Sequence, residues 1–145
     1  MNVTVAEIMT SEPATLGIDD SLKQAMDLMT RRGFRHLPIV DKAGALVGLV
    51  TQSDVLAASA SNLGGSETER PAEQIRIGQF MTRDVATVDE RAELRVAAIY
   101  LQRHKYGCLP VVTNGRLRGI VTDSDFVAVA INLLEQTELL EPDDY

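Results

Sequence analysis

The sequence has little of what disulfide scaffolds, metal centres and membrane spans require. One cysteine, Cys108, stands in 145 residues, so no internal disulfide can form, and a secreted domain of this size more usually carries an even cysteine framework. A reducing, cytosolic compartment is the expected setting. The two histidines, His36 and His104, cannot with that one cysteine build the usual closed zinc site, and no metal is expected. No apolar run approaches the roughly 20 residues that span a bilayer. The first ten residues carry Glu7 and no basic segment leading into an apolar stretch, so they do not resemble a signal peptide. Acidic side chains outnumber basic ones, and the formal net charge of −7 repels nucleic acid and anionic lipid before any contact forms. Neither is an expected partner, and an anionic ligand would need a local basic patch. The chain also has no GxxxxGK[ST] phosphate loop and no duplicated general-base constellation, so catalysis is not expected.

What the chain does have is a repeat. Ile8-Met9-Thr10 falls on Phe80-Met81-Thr82 and Ala14-Thr15-Leu16 on Ala86-Thr87-Val88, an offset of 72 read from Met9 to Met81. The same offset places Leu37-Pro38-Ile39-Val40 on Leu109-Pro110-Val111-Val112. One residue is lost where Asp41-Lys42-Ala43-Gly44 becomes Thr113-Asn114-Gly115. At an offset of 71, read from Gly48 to Gly119, Gly48-Leu49-Val50-Thr51-Gln52-Ser53-Asp54 then lands on Gly119-Ile120-Val121-Thr122-Asp123-Ser124-Asp125.

Within each half the hydrophobic period changes in a fixed order. Leu22, Ala25, Met26 and Met29 have helical spacing, as do Leu94, Ala97, Ala98 and Leu101. Asp19-Asp20-Ser21 supplies N-cap chemistry for the first helix, and Gly33 can take the left-handed conformation that ends it. Leu37 to Val40 and Leu46 to Val50 flank a Gly-containing turn, as do Leu109 to Val112 and Leu117 to Val121, and each pair reads as a hairpin. A second helix is expected near Asp54 and near Asp125, the latter running through Val127, Val129, Ile131, Leu133 and Leu134. Each half is therefore β-α-β-β-α, an α+β arrangement over residues 1–57 and 75–134. A surface linker rich in Ser, Gly and Glu is expected between them at 58–74, and an acidic tail with Pro142 at 135–145. A half of about 55 residues seldom buries enough apolar surface to stand alone, so the two should pack as one unit.

Thr51-x-Ser53-Asp54 and Thr122-x-Ser124-Asp125 each follow a Gly-apolar-apolar strand and open a helix. A carboxylate at such a junction can accept hydrogen bonds from both hydroxyls of a ribose cis-diol, while the Thr hydroxyl and helix N-terminal amides can meet sugar or phosphate oxygens. A Thr followed three residues later by an acidic residue is also a capping box, and one copy alone would be read that way. Two copies in the same context, each with Leu-Pro-apolar-Val upstream, make a constellation that resembles the cystathionine-beta-synthase-type (CBS) domain family over nearly the whole chain.

The resemblance implies two CBS domains paired as a Bateman module, with clefts for AMP, ADP, ATP or another adenosyl compound. It implies ribose and phosphate contacts from Thr51, Ser53, Asp54, Thr122, Ser124 and Asp125. Base contacts, mostly through backbone, are implied for the runs Arg35-His36-Leu37 and Gly107-Cys108-Leu109, with Leu16 and Val88 walling the adenine. It further implies a homodimer joined through helices of each repeat, and an output to a separate effector protein. The basic residues are unevenly shared: Arg31, Arg32, Arg35 and His36 precede Leu37, whereas His104 and Lys105 are followed by uncharged Gly107-Cys108. In nucleotide-sensing relatives such side chains cross to the opposite domain's phosphate, so Arg35 and His36 are expected to serve the Thr122/Asp125 site and leave the Thr51/Asp54 site poorer. The competing reading is that the arginines only favour the helix dipole. The pair Asp123 and Asp125 as a Mg²⁺ site is not favoured, because Gln52 replaces Asp123 in the first repeat, and Mg²⁺ would arrive only with ATP. Met9, Met81, Met26, Met29 and Cys108 are read as packing.

Overall fold

The computed structural model describes residues 2–62, 70–104 and 107–140. The Gly-Ser part of the expected linker, Lys105 and the Pro142 end of the acidic tail lie outside the described residues. The first repeat comprises α1 (Val5–Ile8), β1 (Thr10–Ser11), α2 (Leu22–Arg32), β2 (His36–Val40), β3 (Leu46–Thr51) and α3 (Gln52–Asn62). The second opens with two 3₁₀ turns, Ala72–Gln74 and Ile77–Gln79, and continues with α4 (Leu94–Arg103), β4 (Cys108–Thr113), β5 (Arg116–Thr122) and α5 (Asp123–Leu140). Among the described residues no helix is long and apolar enough to cross a membrane.

The local chemistry of α2 follows its sequence. Ser21 Oγ accepts from the Gln24 amide at 3.1 Å and Gln24 Oε1 accepts from the Ser21 amide at 2.8 Å, a reciprocal capping box. Gly33 closes the helix in the left-handed conformation, φ +72°, its amide donating to Met29 O. Leu22, Ala25 and Met29 turn inward. Met26, expected on the same face, is instead exposed at the helix edge, where its sulfur meets the Ser59 hydroxyl of α3. The hairpins β2–β3 and β4–β5 are antiparallel, each with a register shift at the same point of the repeat, after Ile39 and after Val111. The first strand of each repeat is reduced to one parallel bridge, Leu16 to Ile39 and Val88 to Val111. The helices after the hairpins begin at Gln52 and Asp123, two residues ahead of the aspartates, and α3 runs to Asn62, into the span read as linker from Ala58.

The repeats exchange their leading segments. β1 pairs with β5 of the second repeat, Thr10 opposite Ile120, and the corresponding Thr82 bridges to Leu49 of β3. The first amide of α2, Leu22 N, donates to Ile75 O, and Leu94 N at the start of α4 donates to Val3 O. Burial follows the same exchange. Ile75, Ile77 and Met81 complete the core of the first repeat with Leu22, Ala25, Leu37, Ile39 and Val50. Val5 completes that of the second with Val88, Ala97, Leu109, Val111 and Val121, and Met9 packs against it. Gly48 and Gly119 let the segments come close: a Cβ on Gly48 would lie 2.6 Å from Met81 Sδ, and one on Gly119 2.7 Å from both Met9 Sδ and Thr10 O. Neither half contains its own complete core, which joins the two into one folding unit.

Candidate functional site

Each hairpin ends in its Thr and passes directly into a helix, so the Thr-x-Ser-Asp motif sits on the first turn. Thr51 N donates to Asp54 Oδ2 at 2.9 Å and Asp54 N donates to Thr51 Oγ1 at 3.1 Å. The second repeat has the same pair, Thr122 N to Asp125 Oδ2 at 2.9 Å and Asp125 N to Thr122 Oγ1 at 3.4 Å. The capping box is thus formed in both repeats. It commits one oxygen of each carboxylate to the helix and leaves acceptor capacity on the other. At Asp54 that capacity is in use, because the Thr82 hydroxyl lies 3.2 Å from Oδ1 and 3.0 Å from Oδ2.

Beside the second motif lies a cavity of about 370 Å³ lined by Thr122, Ser124 and Ile120 of the second repeat and by Thr10, Pro13, Ala14, Phe34, Arg35 and His36 of the first. The structure thereby brings Arg35 and His36 to the same cleft as Thr122 and Ser124. An adjoining cavity, also about 370 Å³, is lined by Thr51, Gln52 and Ser53 with His104, and it shares Arg35, His36, Gly107 and Asp123 with the first. Gly107 is at φ +76°, and a Cβ there would stand 3.1 Å from Asp123 Oδ2 and 3.3 Å from His36 Nε2, so a side chain would be both strained and crowded at the junction of the cavities. Arg35 and Gly107, counterparts in the repeat, each offer a carbonyl to the first amide of a helix, Gln52 N at 2.9 Å and Asp123 N at 3.0 Å.

The four basic residues ahead of Leu37 have different surroundings. Arg31 and Arg32 occupy the last turn of α2, where cations favour the helix dipole, and the Arg32 guanidinium stacks over Phe34 at 5.2 Å. Arg35 and His36 face the cavities, and no ion pair among the described residues engages Arg35. Arg35, His36 and His104 thus stand together at these cavities beside Asp123.

Two residues expected to wall the adenine stand elsewhere. Leu16 and Val88 do not wall these clefts: Val88 is buried in the second core, and Leu16 packs against the first. Their places along the bridge to β2 and β4 turn the side chains inward. Leu37, Cys108 and Leu109 are fully buried, so only their main chains could meet a ligand. Burial, reinforced by the negative charge of Asp123, pushes the Cys108 thiol up to about 12, which suits a packing residue and not a nucleophile. Among the described residues no cluster of His, Cys, Asp or Glu could hold a metal ion. Thr10, Pro13, Ala14 and Phe34 were not singled out as cleft residues. They lie between 88 and 112 residues before Thr122 in the chain, and only the packing of the two repeats brings them to it.

A pseudo-symmetric pair of β-α-β-β-α repeats, each presenting a Thr-x-Ser-Asp turn to clefts between them, defines a tandem ligand-cleft module. The sequence matches the CBS domain over residues 5–61 and 77–132, and the chain belongs to the CBS-domain family. It is similar to a CBS domain-containing protein of Dictyostelium discoideum, 30% identical over 139 residues covering 93% of this chain and 96% of that protein. It also matches a homoserine O-acetyltransferase of Methanocorpusculum labreanum, 32% identical over 76% of this chain, of which it spans only 20%. Among solved structures, a Vibrio cholerae protein named for acetoin utilization superposes with a TM-score of 0.85 at 43% identity, covering 95% of this chain and 98% of that one. The CBS domain pair of protein MJ0100, solved with 5′-methylthioadenosine and S-adenosyl-L-methionine, gives 0.78 at 29% identity, covering 91% and 98%. CBSX2 of Arabidopsis thaliana, solved with AMP, gives 0.76 at 28% identity, covering 90% and 97%.

Proposed function

We propose that this chain is a regulatory module that binds an adenosine-containing ligand in the cleft beside Thr122 and Asp125 and signals its occupancy to a separate partner protein. The observation that carries the reading is the composition of one cavity: Thr122, Asp123 and Ser124, the residues leading into Asp125, face the Pro13–Ala14 segment and the pair Arg35 and His36 of the other repeat. In this reading Asp125 accepts from the ribose diol, Thr122 and Ser124 meet sugar or phosphate oxygens, Pro13 and Ala14 flank the base, and Arg35 and His36 meet phosphate. A cavity of about 370 Å³ falls within the usual range for small-molecule sites, about 300–1,000 Å³. The adenosyl ligands of the MJ0100 pair and of CBSX2 support the same class of ligand. AMP, ADP, ATP and S-adenosylmethionine are the candidates. No resident cofactor is needed, Mg²⁺ entering only with ATP, and the module performs no reaction of its own.

The working form is a homodimer in the cytosol. Val127, Ile131 and Leu134 share one face of α5 and are all more than half exposed, which favours a second copy packed on that face. A second reading, a ligand-independent interaction module, is favoured by the capping boxes, since Thr51, Asp54, Thr122 and Asp125 already serve helix ends. Thermal unfolding separates the two. At a ligand concentration about 100 times its Kd, one bound adenosyl compound adds about 2.7 kcal/mol and raises Tm by several degrees. Unchanged Tm with AMP, ADP, ATP and S-adenosylmethionine rejects the sensor reading.

A further inference from the structure

The leading segments of the two repeats enter the fold in the same way. Leu22 N donates to Ile75 O at 2.8 Å and its counterpart Leu94 N to Val3 O at 2.7 Å. Ile77 N donates to Asp20 O at 2.8 Å and its counterpart Val5 N to Ala92 O at 2.9 Å. Ahead of Ile75 the chain covers α2 with the turn Ala72–Gln74, Ala72 lying against the first core and Glu73 pairing with Lys23 at 3.3 Å. Met26 of α2 reaches Ser59 of α3. At the equivalent place the second repeat has a groove of about 470 Å³, lined by Val3, by Leu94 and Ala98 of α4, and by Phe126, Val129 and Leu133 of α5. Ala98 is the counterpart of Met26 and has no side chain beyond Cβ to reach α5. Val3 is 37% exposed where Ile75 is 9%, and Leu133 is 58% exposed. Arg95, the counterpart of Lys23, also lines the groove and makes no ion pair among the described residues.

We propose that this groove is the docking surface for the module's separate partner, and that it takes an extended segment of that protein in which a small apolar residue precedes a carboxylate. The apolar residue packs on Leu94 and Phe126, and the carboxylate meets Arg95. The first repeat carries the argument, because Ala72 and Glu73 cover the equivalent surface with that chemistry and Lys23 meets the carboxylate. Glu93 also lines the groove, so a single carboxylate is favoured and an acidic run is not. Phe126, Val129 and Leu133 lie on a different face of α5 from Val127, Ile131 and Leu134, so a second copy packed on that ridge leaves the groove free. The inference rests on the partner half of the functional reading and is independent of the ligand.

The probe is the chain's own filler, Arg70-Pro71-Ala72-Glu73, offered to the groove in two ways without nucleotide. Copied directly ahead of Asn2 in place of Met1, it raises Tm by about 2–4 °C. The rise is larger with the copied glutamate than with glutamine in its place, and Arg95→Ala removes that difference. As a capped peptide at millimolar concentration, the same four residues shift the amide resonances of Arg95, Ala98, Val129 and Leu133. Ala98→Met, which rebuilds the side chain of the first repeat, abolishes those shifts without lowering Tm. No rise with the tethered copy, or no shifts with the peptide, overturns the inference. A rise that appears only after residues 141–145 are removed places those residues in the groove, and a dimer that Ala98→Met converts to a monomer in light scattering places a second copy there. Either result overturns the partner assignment. Peptide binding by a chain that binds no adenosyl compound keeps the groove and rejects the sensor reading, whereas adenosyl binding without peptide binding rejects the groove alone.

Discussion

A methyl group on Gly119 would meet the carbonyl oxygen of Thr10 and the sulfur of Met9, both at 2.7 Å. On Gly48 the closest atom is the flexible Met81 sulfur, with the Thr82 carbonyl farther off at 3.0 Å. Gly119→Ala should therefore destabilise by about 1–3 kcal/mol, and Gly48→Ala by less, because a methionine end can move where a strand carbonyl cannot. Urea unfolding of the two variants checks the order. Cys108 gives a pH prediction at the same scale. Its folded-state value of about 12 lies above the ordinary 9.0, so above about pH 9 the unfolded chain has lost a proton that the folded chain keeps. The contribution of Cys108 to stability then falls as pH rises from about 9 towards 12. Cys108→Ala should flatten that part of the urea midpoint profile. Which residues recur was legible in the sequence, but which way they face was less so. Leu16 and Val88 sit in the right segment, yet a single bridge turns them into the cores, and no periodicity is measurable in a one-residue strand.

Elements were legible where local chemistry decides them. The Ser21 cap, the Gly33 terminus and both hairpin turns follow from residue types within a few positions of one another. The exchange of leading segments was not, since a short segment such as Met9-Thr10 carries no mark of which sheet edge it will join 110 residues away. Its energetics are nonetheless testable. Ile77 is fully buried in the core of the first repeat although it belongs to the second. Ile77→Ala should cost about 2–5 kcal/mol, and amide exchange should speed throughout α2 and β2–β3 as well as around Ile77. Confinement of the effect to the second repeat would contradict the exchanged packing. Met26 shows the limit of periodicity at this scale, because a residue at the edge of a helical stripe can face a neighbouring helix and remain exposed.

At the scale of the whole molecule, the cleft exists only because two repeats meet, and its basic side comes from one of them. The duplicated motif and the uneven charge were readable in the chain. The crossing of Arg35 and His36 towards Thr122 was legible only through the family resemblance, because composition and spacing alone do not say which domain a side chain reaches. The exposed Val127, Ile131 and Leu134 face makes a prediction of its own: Ile131→Glu with Leu134→Glu should convert a dimer to a monomer in light scattering, and an unchanged mass would place the contact elsewhere. The most direct test of the account is calorimetric titration of the wild type and of Asp125→Ala with AMP, ADP, ATP and S-adenosylmethionine. Saturable binding by the wild type, weakened at least tenfold by Asp125→Ala in a chain that unfolds cooperatively, is the predicted result. A folded wild type that binds none of the four, or an Asp125→Ala variant that binds as the wild type does, would contradict it.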